Sequence, residues 1–229
     1  MALDQPTKLH LEKELLPFLT TTARSDVKYF AMKTLMELTG SKDGVNFITE
    51  GDKFLKAIIA LTDDSDVYKD AIIALINLCA DDKAAWKIMN LDSNFVVGLL
   101  SKMLETDFDF ADQVANLIAN ITRVPGCANK LGVQILEKDS KVSIDNLINA
   151  LCKINYNKNA HLHSLGLILS NLSQASNIRK AIMDKDRCIV QKLLPFTEYK
   201  ESLTRRGGIL GTLKNCCFEY GKIFIYTVS

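Results

Sequence analysis

Five eight-residue segments of the chain place apolar residues at positions i, i+4 and i+7, which is the spacing of one buried helix face. The segments occupy residues 31–38, 71–78, 114–121, 165–172 and 209–216. All three positions hold aliphatic residues in every segment, except that the fifth segment ends in cysteine. The pattern predicts five amphipathic helices that share one register.

Position i+6 of this register is polar in every segment. It is Glu37 in the first segment and asparagine in the other four, at successive separations of 40, 43, 51 and 44 residues. The asparagines are Asn77, Asn120, Asn171 and Asn215. A short helical stretch and a second amphipathic stretch precede each of the last four segments, so the predicted unit is a short helix, a helix and a longer helix.

Three-helix units that recur every roughly 40 to 47 residues are typical of armadillo and HEAT repeats. The sequence therefore predicts an all-α fold, an armadillo/HEAT-type right-handed α-solenoid with an N-terminal helix pair and four repeats. We expect one domain over residues 1–219 and a divergent tail over residues 220–229, which are rich in β-branched and aromatic residues. The 51-residue separation predicts extra chain in the third repeat, between Gly126 and Val142.

The recurring asparagines lie about 110° from the middle of the apolar stripe, on the flank of the buried face. An amide both donates and accepts hydrogen bonds, so a column of amides can bind the main chain of an extended peptide. The alternative is that each amide ties its own helix to the neighbouring repeat. Gln113 and Asn116 extend the polar stripe in the third of the five segments. The candidate protein-binding groove comprises Asn77, Gln113, Asn116, Asn120, Asn171 and Asn215.

The overall composition disfavours nucleic acid and membranes as partners of the whole surface, although a local charged patch is compatible with it. The 229 residues include 28 Lys and Arg against 27 Asp and Glu, and 48% are hydrophobic. A net charge of +1 gives no general attraction to nucleic acid or to anionic membranes. No stretch approaches the roughly 20 apolar residues that span a bilayer, and the start of the chain does not resemble a signal peptide. We therefore expect a cytoplasmic protein, with the nucleus as the alternative compartment.

The side chains that could carry chemistry form no catalytic or metal-binding motif. The six cysteines include no Cys-x-x-Cys pair, so we expect reduced thiols, no metal and no cofactor. The glycines between Gly207 and Gly211 lack the strand and lysine of a phosphate-binding loop, and they favour close helix packing instead. Arg205 and Arg206 are candidates for contact with an acidic partner, although surface arginines more often form weak solvated pairs. We do not expect an enzyme.

Several longer strings resemble those of a known family. They lie at residues 15–19, 155–174, 186–196 and 205–219, and the last contains Arg-Arg-Gly-Gly followed by Leu-Lys-Asn-Cys-Cys-Phe-Glu. The chain resembles the Hgh-one homologue family of armadillo-like cytosolic proteins. The resemblance implies a non-enzymatic folding factor for eukaryotic elongation factor two that works with the cytosolic chaperonin. Family members continue past Glu219, so the resemblance also implies a chain truncated at its C-terminus.

Two other functions remain open at the level of sequence. One is an armadillo adaptor that binds extended peptides in transport or signalling, and the other is a truncated isoform with no independent function. Nuclear-import adaptors place tryptophans beside their asparagines, whereas the one tryptophan here, Trp86, falls on a short first helix. We expect a monomer that binds a protein client and neither nucleic acid nor membrane.

Overall fold

The computed structural model describes residues 4–92 and 94–226, with side chains up to Glu219 in the last helix. The described residues form fourteen α-helices and three short 3-10 turns, and they contain no strand. In chain order the helices are a pair followed by four sets of three, as the register predicts. The prediction of an all-α armadillo-type repeat fold is therefore confirmed. The chain divides into two compact units, Met1–Asp92 and Ser93–Ser229.

The first unit contains the N-terminal helix pair and the first complete repeat. Its helices are α1 Gln5–Leu15, α2 Ser25–Leu38, α3 Lys42–Glu50, α4 Lys53–Leu61, α5 Tyr68–Leu78 and α6 Asp82–Leu91. Helix α2 packs against α5 through fully buried side chains such as Leu35 and Leu75. Lys28 of α2 donates to the Asp64 carboxylate at 2.6 Å, and both side chains are buried. Removal of either charge should destabilise the fold strongly, because it would leave the other charge buried and unpaired.

The second unit contains the remaining eight helices. They are α7 Phe95–Met103, α8 Ala111–Thr122, α9 Pro125–Leu136, α10 Ile144–Cys152, α11 Leu165–Leu172, α12 Ser176–Met183, α13 Ile189–Leu193 and α14 Leu203–Tyr226. The third helices of successive repeats pack side by side, α8 against α11 and α11 against α14. Their i, i+4 and i+7 residues are buried, as Ile118 and Leu169 illustrate, except that Leu213 of α14 is half-buried.

Side chains at the helix starts explain several of the boundaries. Ser41 and Asp81 each accept a hydrogen bond from the backbone N–H three residues later, and they begin α3 and α6. Ser143 and Asn146 form a reciprocal capping box at the start of α10. Pro125 occupies the first turn of α9, where backbone N–H groups have no partner within the helix, so a proline there loses no hydrogen bond.

The extra length of the third repeat lies in two places. Seven residues, 137–143, connect α9 to α10, and twelve residues, 153–164, connect α10 to α11. The preceding repeat uses seven residues, 104–110, for the second of these connections. The prediction that placed the insertion between Gly126 and Val142 was therefore incomplete, since it missed the longer connection.

The last helix runs across the predicted domain boundary. Helix α14 continues to Tyr226, so the backbone of residues 220–226 is helical, and residues 227–229 lie outside the described part of the chain. The single domain over residues 1–219 and the separate character of the tail stay predictions. Among the described residues, no helix combines the length and the apolar character that crossing a membrane requires.

Candidate functional site

The recurring asparagines connect neighbouring third helices. In the first unit, Asn77 of α5 donates from Nδ2 to the hydroxyl of Thr39, immediately after α2, at 2.9 Å. The Thr39 hydroxyl in turn donates to the Met36 carbonyl at 2.6 Å. The amide therefore binds the C-terminal end of α2 through a side chain that is itself fixed to that helix.

The same arrangement recurs twice in the second unit. Asn171 of α11 donates to the Ala119 carbonyl at 3.1 Å and to the Thr122 hydroxyl at 3.2 Å. Asn215 of α14 donates to the Ser173 hydroxyl at 2.9 Å and the Ser170 carbonyl at 3.3 Å. Nδ2 of each amide is thus used to bind one repeat to the next, which is the tying role that the sequence left as one alternative.

The side-chain oxygens of these asparagines, unlike their Nδ2 atoms, are not used in hydrogen bonds among the described residues. Oδ1 of Asn77, Asn171 and Asn215 accepts no hydrogen bond from any described residue, and all three residues keep some exposure. An amide held by its Nδ2 has a fixed orientation, so the free Oδ1 is a positioned acceptor. Asn120, at the same register position of α8, also interacts within the protein.

The two other residues of the predicted groove lie on α8. Asn116 accepts a hydrogen bond at Oδ1 from the hydroxyl of Ser164, next to the start of α11, at 2.6 Å. Gln113 has a buried Oε1 with no hydrogen-bond partner. Asn116 therefore also links adjacent repeats, while Gln113 retains an acceptor that the protein leaves unsatisfied.

The two arginines at the start of α14 differ sharply in environment. Arg205 is only 3% exposed, and its Nη2 donates to the His161 carbonyl at 2.6 Å. Arg206 is half-buried, and its side chain forms no hydrogen bond or ion pair with the described residues. Arg205 is thus not the solvated surface residue that its position in the sequence indicates. Contact of either arginine with an acidic partner stays a prediction.

Arg205 lies in the wall of a small cavity in the second unit. The cavity has a volume of about 270 Å³ and is lined mainly by polar side chains. The polar lining residues are Asn155, His161, His163, Tyr199, Glu201 and Arg205. We call it the Arg205 cavity. Its walls come from the 153–164 connection and from the segment that leads into α14, where Ser202 caps the helix by accepting from the Arg205 N–H at 3.1 Å.

The rings of the cavity are stacked on one another. His161 and His163 lie parallel, with ring centroids 5.3 Å apart and an interplanar angle of 7°. The Arg205 guanidinium lies over the Tyr199 ring at 5.3 Å, a cation–π contact. Both histidines precede α11, and Leu162 between them has a left-handed φ of 54°, so this part of the chain is a loop in which the two rings can stack.

Burial and neighbouring charges shift the pKa values of the cavity side chains. Burial lowers the pKa of His163, and the Arg205 charge lowers it further, so the imidazole is neutral at pH 7. Burial also lowers the pKa of Arg205 from its ordinary value. The hydrogen bond from the Tyr199 hydroxyl to Glu201, at 2.6 Å, raises the pKa of Tyr199.

The 153–164 connection is held in place by the preceding repeat. Tyr156 donates to the Leu104 carbonyl at 2.8 Å, and buried Asn157 donates to the carbonyls of Glu105 and Phe108 at 2.9 and 3.1 Å. Asp112 accepts from the backbone N–H groups of His161 and Leu162 at 3.1 and 2.6 Å. The sequence reasoning missed these residues, although the alternate asparagines at 155, 157 and 159 lack helical periodicity and mark an ordered loop.

Repeated three-helix layers, in which Asn77, Asn171 and Asn215 each tie a third helix to the helix of the preceding layer, define the class of this protein as an armadillo-type repeat protein. A crystal structure of an engineered protein shares this fold, with a TM-score of 0.51 and 21% identity over 92% of this chain and 58% of that chain.

The family follows from sequence comparison. The domain of unknown function DUF383 matches residues 102–223, more than half of the chain, and the chain belongs to this family. It is 40% identical over 210 residues to the protein HGH1 homolog of Danio rerio, 37% identical over 208 residues to that of Homo sapiens, and 35% identical over 216 residues to that of Drosophila melanogaster. The resemblance to the Hgh-one homologue family is confirmed.

These relatives are longer than the chain. The alignments cover 90 to 91% of this chain but only 53 to 58% of the three relatives. The chain thus spans a little over half the length of the HGH1 homologs that it matches.

Proposed function

We propose that this chain is a non-catalytic protein-binding scaffold that acts as a folding factor for eukaryotic elongation factor two, together with the cytosolic chaperonin. Membership of the HGH1 homolog family, the repeat fold and the resemblance of residues 155–174 and 205–219 support this proposal. On this proposal the protein is a cytosolic monomer, with the nucleus as the alternative compartment. It binds no nucleic acid, membrane, metal or cofactor.

The free amide oxygens on the third helices carry the proposal. A partly folded client exposes backbone N–H groups that have lost their partners, and each one needs an acceptor. Within the second unit, Oδ1 of Asn171 and Asn215 can accept from such a segment without regard to its side chains, because main-chain recognition is independent of sequence, and Oδ1 of Asn77 offers the same acceptor in the first unit. The scaffold would hold an extended client segment until the chaperonin receives it.

Affinity pull-down from eukaryotic cytosol with mass spectrometry tests the choice of client. The 229-residue chain is compared with the full-length HGH1 homolog of Danio rerio. Enrichment of elongation factor two and chaperonin subunits on both baits supports a binding surface within these repeats. Enrichment on the full-length bait alone contradicts the assignment of client binding to this chain.

Two pairs of substitutions separate client binding from repeat stacking. The Asn171→Ala, Asn215→Ala variant removes the free oxygens and also the bonds between repeats. The Thr122→Val, Ser173→Ala variant removes the hydroxyl partners but leaves both oxygens in place. We expect weaker capture of elongation factor two by the first variant only. Equal capture by the first variant and the wild type, with unchanged helical content, would contradict the groove.

The adaptor function remains the second candidate because the same oxygens suit any extended peptide. It makes a different prediction: short unstructured peptides from transport or signalling partners should bind as tightly as the client does. The triple variant Asn120→Ala, Asn171→Ala, Asn215→Ala should weaken both kinds of binding and leave the circular dichroism spectrum unchanged. Peptide titrations beside client binding assays distinguish the two functions.

A further inference from the structure

Arg205 is a buried cation that forms no direct ion pair within the described part of the chain, and the carboxylates of Glu201 and Asp112 act on it only at longer range. Its side chain is almost wholly removed from solvent, yet it forms no ion pair with any described residue. Removing a guanidinium from water is unfavourable unless an opposite charge and hydrogen bonds replace the lost hydration. The carbonyl of His161 and the ring of Tyr199 supply one hydrogen bond and one cation–π contact. Neither supplies a negative charge.

The unused donors of Arg205 belong to the wall of the Arg205 cavity. Nε is buried and has no hydrogen-bond partner, and Nη1 donates to no described residue. Nδ1 of His163, in the same wall, is also buried without a partner. Orphaned polar atoms are rare in folded proteins, and here two of them converge on one cavity. This convergence indicates a missing hydrogen-bonding ligand.

The other charges around the cavity limit what that ligand can be. Both carboxylate oxygens of Asp112 already accept backbone N–H groups, and Glu201 accepts from the Tyr199 hydroxyl. The neutral imidazole of His163 adds no positive charge at pH 7. The cavity thus offers one guanidinium with a carboxylate nearby, which suits a monoanion better than a phosphate dianion. Its volume of about 270 Å³ admits a side chain rather than a larger group.

We propose that the Arg205 cavity binds one carboxylate from a glutamate or aspartate side chain of a partner protein, with Arg205 donating to it and His163 lining its other side. Nε and Nη1 lie on different edges of the guanidinium, so one of them donates to the carboxylate in a single charge-assisted hydrogen bond. The proposal relies on the proposed protein-binding function only for the source of the carboxylate. The affinity of the cavity itself can be measured without any client.

A peptide titration of the full chain measures that affinity. The probes are acetyl-Gly-Gly-Glu-Gly-Gly-amide, its Gln counterpart and its phosphoserine counterpart, at constant ionic strength. The readout is the NMR signal of the Arg205 Nε–H and of the His163 ring. The Glu peptide should shift both signals with saturation, the Gln peptide should leave them unchanged, and the phosphoserine peptide should bind more weakly. No shift, equal shifts with Glu and Gln, or tighter binding of phosphoserine would each overturn the carboxylate assignment.

Two exposed glutamates provide a matched pair of variants that should not disturb folding. Glu201→Gln removes the carboxylate in the cavity wall, whereas Glu198→Gln changes an exposed residue of the same segment that does not line the cavity. Loss of one like charge at close range should tighten binding of the Glu peptide about fivefold in Glu201→Gln. The Glu198→Gln variant should bind as the wild type does. Equal affinities in the two variants would contradict the proposed position of the ligand.

A conservative substitution tests the guanidinium directly. Arg205→Lys keeps the charge but replaces the rigid guanidinium with an ammonium group on a flexible stem, so affinity for the Glu peptide should fall about tenfold. Unchanged affinity in a folded Arg205→Lys protein would contradict the role of Nε and Nη1. Because this experiment uses no elongation factor, its failure leaves the pull-down result untouched. A failed pull-down likewise leaves the cavity measurement valid.

Discussion

The backbones of Gly166 and Gly208 are in direct contact. A Cβ atom added to Gly208 would lie 2.1 Å from the Gly166 carbonyl carbon, closer than any real contact of that kind. Helices α11 and α14 therefore approach without side chains between them. The sequence interpretation of Gly207–Gly211 as close helix packing is confirmed at Gly208. It is wrong at Gly207, where a Cβ would meet nothing within 4 Å.

Gly208→Ala should destabilise the protein, because the added methyl group can be accommodated only if two helix backbones separate. Overpacking of this kind usually lowers stability by about 1–3 kcal/mol, and the loss lies at the upper end of this range when the backbone must move. Urea denaturation followed by circular dichroism measures the change. The control is Gly207→Ala on the same helix, which should be neutral or stabilise by up to about 1 kcal/mol through helix propensity. Equal effects of the two substitutions would rule out backbone contact as the cause.

Asn171→Ala should lower the free energy of unfolding by about 1–2 kcal/mol, since it leaves the Ala119 carbonyl and the Thr122 hydroxyl without their donor. A double-mutant cycle with Thr122→Val should give a coupling free energy of about 0.5–1 kcal/mol. The exposed Asn149 of α10 provides the control, and Asn149→Ala should change stability by less than about 0.5 kcal/mol. Additive single effects in the cycle would show that the amide does not tie the repeats.

Glu219 should make stability depend on pH in the acidic range. Hydrogen bonds from Ser176 and Arg179 hold the pKa of its carboxyl below the ordinary value of 4.5. A depressed pKa stabilises the fold above pH 4.5, and this contribution is lost as the pH falls through the lower, folded-state pKa. Glu219→Gln should therefore be less stable than the wild type at pH 7, and the difference should shrink toward pH 3.

Thermal unfolding from pH 7 to pH 3 measures this convergence. Glu198→Gln, which changes an exposed carboxylate, should follow the wild-type curve throughout. A constant difference between Glu219→Gln and the wild type at every pH would contradict the ion pair with Arg179 as the source of the effect.

The adjacent cysteines should react at very different rates. Burial raises the pKa of Cys216 to about 11, whereas Cys217, the next residue of α14, is exposed. Because the thiolate is the nucleophile, Cys217 should react with iodoacetamide at pH 8 at least about tenfold faster than Cys216. Peptide mapping by mass spectrometry resolves the two sites when one is mutated to serine. In denaturant the two rates should converge, and different rates there would point to a cause other than burial.

The repeat architecture was predictable because it depends on periodicity that recurs five times. Burial of i, i+4 and i+7 and the position of each asparagine follow from helix geometry alone. A further signal was present but unused: a hydroxyl stands at i+8 as Thr39, Thr122 and Ser173, each of which accepts from the asparagine of the next third helix. Positions i+6 and i+8 considered together favour the interpretation in which each asparagine bonds to the neighbouring repeat over the one in which it binds a peptide.

Helix starts and the Arg205 cavity were less predictable, since both depend on contacts far apart in the chain. Ser25 begins α2, but its hydroxyl donates to Asp66 at 2.5 Å instead of capping the helix. The equivalent residue of the next repeat, Ser65, begins no helix, because α5 begins at Tyr68. The sequence around Arg205 indicates an exposed cation, whereas the loop at 153–164 packs over its side chain and buries it. No local pattern encodes burial that a distant segment provides.

Arg205 also forms part of the contact between the last two third helices. A Cβ on Gly166 would lie 2.7 Å from the Arg205 carbonyl oxygen, while the Arg205 guanidinium holds the His161 carbonyl. Any change in the spacing of α11 and α14 therefore moves Arg205 relative to the cavity wall. Occupancy of the cavity and stacking of the final repeats are linked equilibria, so a ligand that binds the stacked form favours stacking by the same free energy.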